Sequence, residues 1–191
     1  MRFRTFLIPL LALVALSALA APTAAQAEIK KMMLLRPGKL CPWFQATVTP
    51  PKGWVLDDAA GKAHLVTFLT PNKKDLSFSD PVIYVQTAYR PDAIAFDDIV
   101  ASDLAGLRKE STARAKITPI GEVARAAGKP AFKVFLFENP DKPKQAVEKI
   151  AYGLEILPNG ERYYLTIVDT AADRRAIDDS ASAYLEVLAG L

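Results

Sequence analysis

Two short runs constrain the fold more than anything else in this chain. In "FKVFLF", Phe132, Val134 and Leu136 point one way on an extended backbone, and Phe135 and Phe137 point the other. In "YYLTIV", Tyr163, Leu165 and Ile167 likewise oppose Tyr164, Thr166 and Val168. A strand that is apolar on both sides has to be covered on both sides. The links between candidate strands run to about 3 to 6 residues, which suits hairpins better than βαβ crossovers and favours antiparallel pairing. The expected class is therefore α+β: a mostly antiparallel sheet covered by helices on both faces, an α/β/α sandwich.

The remaining segments supply parts for such a sandwich. "KMMLL" and "FQATVTP" read as strands divided by a Pro37-Gly38 turn. "GWVLDDAAGKAHLVTFLTP" reads as a hairpin whose turn uses Gly61 for a positive φ, with His64 opening the return strand on the same face as Val66 and Phe68. "PVIYVQTAYR" is rich in β-branched and aromatic residues and reads as a further strand. Asp92 offers an N-cap for a helix to about Lys109, with Phe96, Ile99, Val100, Leu104 and Leu107 as its buried stripe. Near the end, Thr170 with Asp173 matches a capping pattern ahead of Ile177, Ala181, Tyr184, Leu185 and Leu188 at helical spacing. That spacing predicts one amphipathic helix.

The first 27 residues read as a secretory signal peptide. Arg2 and Arg4 precede the uncharged run "FLIPLLALVALSALAA", which is followed by a small-residue site at Ala25-Gln26-Ala27. The run is about 16 residues, short of the ~20 needed to span a bilayer, and it contains Pro9. Cleavage is expected after Ala27, with Ala20 the alternative, leaving residues 28–191 as one exported domain, periplasmic or secreted. Without Arg2 and Arg4 the formal charge of +3 falls to about +1. A near-neutral chain lacks the clustered cations that nucleic acid demands. Cys41 is the sole cysteine, so no intramolecular disulfide is possible, and its apolar neighbours favour burial over pairing with another chain.

The chemistry-bearing residues are sparse. His64 is the only histidine, and Ser77, Ser79 and Ser102 are not set in a Gly-x-Ser-x-Gly elbow. A Cys41–His64 pair would place the thiol among bulky apolar neighbours that raise its pKa. One His and one Cys cannot make a zinc site. Asp75, Ser77, Ser79 and Asp80 crowd one loop but lack the spacing and distal Glu of an EF-hand. Asp57-Asp58, Asp97-Asp98 and Asp178-Asp179 suit a turn and exposed helix faces. No glycine loop cradles a phosphate, and no cofactor is expected.

Aromatic spacing adds one resemblance. "PKGW" ahead of a hairpin, "VTFLTP", "PVIYVQT" and the closing "YYLTIVDTAADRRAIDDSASAYLEVLAGL" resemble the PsbP-like superfamily, the α/β/α sandwich of the photosystem II extrinsic subunit and many exported bacterial relatives. The resemblance implies a domain that docks on a larger complex without catalysing a reaction. It carries no functional residue onto this chain, because the metal-linked histidines proposed in photosynthetic members have no counterpart where there is a single histidine. The expected function is binding or assembly, with a protein or a small apolar ligand as partner and contacts near Trp43, Trp54 and His64. The competing reading is a hydrolase with His64 as general base.

Overall fold

The computed structural model describes residues 28–191 apart from 78–79, 126–127 and 143–145, and apart from the side chain of Arg36. The expected leader, residues 1–27, lies outside them. Chain order is β1 (Ile29–Arg36), β2 (Lys39–Ala46), β3 (Trp54–Leu56), α1 (Asp58–His64), β4 (Thr67–Pro71), β5 (Val82–Tyr89), α2 (Phe96–Glu110) and β6 (Lys116–Val123). β7 (Phe132–Glu138), β8 (Val147–Ile156), β9 (Arg162–Ala171), α3 (Arg174–Asp179) and α4 (Ala181–Ala189) complete it. The strands form one nine-stranded antiparallel sheet in the order β1-β2-β5-β9-β8-β7-β6. β4 shares the edge of β5 with β2, and β3 pairs with β4.

The alternation in β7 and β9 operates as their sequences dictate. Phe132, Val134, Leu165 and Ile167 enter one core cluster with Ile83 and Val85 of β5. Phe135, Phe137, Tyr164 and Val168 enter a second cluster on the opposite side. The expected Pro37-Gly38 turn joins residues 29–36 to 39–46 as a hairpin, with Gly38 at φ 70°, but the second strand starts directly after the turn and ends at Ala46, where Phe44 to Pro50 was expected. β6 is an edge strand blunted by Pro119 and a register shift before Gly121.

The expected sandwich needs correction. The molecule is mostly antiparallel sheet, and its helices among the described residues are few and short, with 7, 15, 6 and 9 residues. α2 packs Ile99, Val100 and Leu104 on one side of the sheet. α4 packs Tyr184, Val187 and Leu188 on the other. Each is a pad and not a layer. A helix is ~10 Å wide and strands are ~4.8 Å apart, so one helix spans about two strands of a much wider sheet. Two-sided apolarity in the central strands signalled the need for cover, but not how far the cover extends.

Three local expectations also change. The β3–β4 connection is helix α1, capped by the Asp57 carboxylate accepting from Ala60 N at 2.9 Å. Leu65, not Gly61, takes the left-handed conformation (φ 60°). Gly61 is instead a point of close approach, since a Cβ there would lie 2.8 Å from Val66 O. α2 begins at Phe96, not after Asp92, whose carbonyl accepts from the Arg162 guanidinium. The closing helix is two helices: Asp173 itself caps α3, accepting from Ala176 N at 2.9 Å, and a break at Ser180 starts α4. The break turns Leu185 outward, leaving it 51% exposed, while Val187 is buried.

Candidate functional site

Strand periodicity builds a groove on the α2 side of the sheet. In β4 and β5, Leu69, Ile83 and Val85 go to the opposite core, so Phe68, Tyr84 and Gln86 must face this side. Register places Phe68 directly opposite Tyr84, Tyr84 opposite Val168, and Val168 opposite Ile150. The Phe68 and Tyr84 rings stack at 6.4 Å with planes only 6° apart. His64, the last residue of α1, extends this row by stacking on Phe68 at 6.3 Å. One residue-pair along, Thr170 lies opposite Glu148 and its hydroxyl reaches the carboxylate at 3.5 Å. Two hollows of about 390 and 350 Å³ follow this surface. Tyr84 lines both; His64 and Phe68 line the first, and Asp103, Glu148 and Tyr152 the second.

The electrostatics of the second hollow are those of carboxylates drawn out of water. Burial raises the Glu148 carboxyl, with the Lys142 charge and the Thr170 hydroxyl opposing it. Burial raises the Asp103 carboxyl also, against the Tyr164 hydroxyl and the Arg90 charge. The Tyr84 and Tyr152 phenols are pushed up first by burial and then by neighbouring acids, Glu148 for Tyr84 and Asp103 ahead of Glu148 for Tyr152, so both remain neutral hydrogen-bonding groups. The tyrosines therefore offer faces and O–H donors, and the acids supply negative potential inside a poorly solvated wall when they are ionised.

The three residues expected at a contact surface lie apart. His64 is exposed and lines the groove, at a helix terminus and not at the start of a strand. Its described contact is the stacked Phe68 ring, and neither a serine hydroxyl nor a carboxylate is among its described partners. Trp43 is 4% exposed, with its indole N–H buried and unpaired among the described residues. Trp54 is half-buried against the core on the α4 side. Phe44 faces Tyr89 and Tyr163 on that same side, so its neighbour Trp43 points to the other. Cys41 is half-buried.

Asp80 in the 75–80 loop pairs with Lys73 and accepts from Ser77 N at 2.6 Å, and the Lys73 hydrogen bond holds its carboxyl below the ordinary value. Ser79 lies outside the described residues. Among those described, no group of three or more His, Cys, Asp or Glu could hold a metal ion.

Glu148 and Asp103 were missed by motif reading. One signal was available: in "VEKIAYGLEI" alternation sets Glu148 on the same face as Ile150 and Tyr152, an acid in an apolar row. Asp103 carries no such mark, because one polar residue beside a helical stripe is ordinary. Comparison with known proteins gives no matching family model and no matching curated protein.

Proposed function

We propose that this chain is an exported, non-catalytic binding domain whose groove holds a small ligand with an apolar body and a positive charge. The observation that carries the reading is the row of His64, Phe68 and Tyr84 rings running up to the Glu148 carboxylate. Stacked aromatic faces attract flat apolar groups and cations alike, and a carboxylate in a low-dielectric wall adds charge preference. The resemblance to PsbP-like proteins agrees with a binding role and adds no site residue. No described helix is long and apolar enough to cross a membrane.

Benzyltrimethylammonium is the direct probe, followed by calorimetry and by chemical shifts of the groove tyrosines. Saturable binding is expected, with Tyr84→Leu and Glu148→Gln each weakening it about tenfold, the scale of one cation–π or charge contact. Because the Glu148 carboxyl is raised, binding should weaken as pH falls toward and through its titration. Equal affinity for a neutral isostere, or for the Glu148→Gln protein, would overturn the charge preference. Shifts confined to residues outside the groove would overturn the site.

A further inference from the structure

The β1–β2 hairpin has an anchored base and a bare end. At the base Ile29 pairs with fully buried Ala46, and Phe44 pairs with Thr87 of β5. The Phe44 ring also meets Tyr89 at 5.6 Å and Tyr163 at 5.4 Å. Phe44–Thr87 is the one register pair between β2 and β5 among the described residues, and that register sets Pro42 abreast of Tyr89, the last residue of β5, so beyond Pro42 the hairpin has no β5 residue beside it. Register sets Leu35 opposite Leu40 and Met33 opposite Pro42 on one side of this end. All four are exposed, Leu35 by 78%, Leu40 by 66% and Met33 by 53%. Clustered apolar side chains left in water on a folded protein mark a contact surface.

Charge selects the occupant. From Ile29 to Ala46 the sequence holds Lys30, Lys31, Arg36 and Lys39 and not one Asp or Glu. Lys30, Lys31 and Lys39 are exposed. The nearby acid, Glu28, pairs with Lys30 at 3.7 Å and both lie beside the base, so Lys31 and Lys39 are the hairpin's exposed lysines with no ion pair among the described residues. A second copy pairing along the β1 edge would bring these cations against one another, an arrangement that edge lysines oppose. An anionic bilayer supplies both complements at once, with negative headgroups for the lysines and an apolar phase beneath them for the leucines.

We propose that this hairpin is a peripheral membrane anchor that seats Met33, Leu35 and Leu40 at the headgroup–acyl boundary of an anionic lipid surface. From Met33 to Pro37 the chain advances four residues, a reach of ~13 Å at ~3.3 Å per residue. That suffices for the ~5–10 Å depth of interfacial insertion. The anchor is independent of the groove.

Flotation with phosphatidylcholine vesicles containing 30% phosphatidylglycerol, against pure phosphatidylcholine, tests it. Wild type and variants are made in the same chain, so that residues 1–27 contribute equally. The wild type should float with the anionic vesicles and be released by high salt. Lys31→Glu with Lys39→Glu should weaken binding by at least the roughly fivefold expected per lysine. Leu35→Asp with Leu40→Asp should weaken it more than tenfold without lowering the melting temperature, since both side chains already face water. Equal flotation on neutral vesicles, or binding untouched by either pair of changes, would overturn the proposal. So would a concentration-dependent dimer abolished by Leu35→Asp, or capture of an acidic protein through the hairpin with no lipid binding.

Discussion

Asp169 is the most exposed to pH of the residues inside the core, though none of it reaches solvent. Burial lifts its carboxyl from 3.8 to about 6, against the Ser180 hydroxyl donating at 2.7 Å and the Lys149 charge. An acid that is weaker in the folded than in the unfolded state holds its proton longer when folded. Stability is therefore fully present below the ordinary carboxylate value and declines as pH rises from about 4 to about 6. A shift of this size corresponds to roughly 2–3 kcal/mol. Asp169→Asn keeps an acceptor for Ser180 and removes the titration. Melting temperature measured across that window should fall more steeply for the wild type than for the variant, which retains the raised carboxyls of Glu148 and Asp103; parallel curves would refute the assignment. Sequence showed Asp169 as the polar end of a strand, because only α3 and α4 folding over β9 withdraw it from water.

Elements are held by close approaches as much as by side-chain area. Gly153 of β8 lies under the fully buried Phe132 ring, and a Cβ there would come within 2.3 Å of it. The ring cannot retreat freely, for the Arg125 guanidinium packs on it at 4.4 Å. Gly153→Ala should cost about 1–3 kcal/mol in urea unfolding, part of it restored by Phe132→Leu. An unchanged unfolding midpoint would show that the ring does move. Helix α1 obeys the same rule through Gly61. Seven residues are too few to be helical alone, so propensity in "DAAGKAH" was weak beside the turn reading. Docking decides it, and the sequence keeps the one residue without a Cβ where the helix touches Val66 O.

Across the whole molecule, a buried ionic cluster joins parts distant in sequence. Glu155 of β8 and Arg125 after β6 are each 1% exposed at the side chain and lie in contact. Arg125 also donates to Leu154 O at 2.8 Å and to Leu191 O at 2.7 Å, and Lys129 reaches Glu155 at 3.1 Å. Breaking such a pair strands a charge in the interior. Glu155→Ala should destabilise the protein by about 3–5 kcal/mol, whereas Arg125→Met with Glu155→Leu should recover most of that loss. Denaturant unfolding of the two proteins decides it: equal losses would mean that the cluster's geometry, not its isolated charge, carries the energy.

Sequence by itself determined what is local and periodic: the two-faced strands, the turn at Pro37-Gly38 and the buried stripe of α2. These follow from side-chain period and turn chemistry, which act over a few residues. Tertiary structure alone decided how much of the sheet the helices cover, where His64 lies, that Trp43 and Trp54 occupy opposite sides, and that Glu148 and Asp103 share one hollow. Each depends on strand order and register, which no single segment encodes, because β5 lies beside β9 only after the intervening chain has folded out and back.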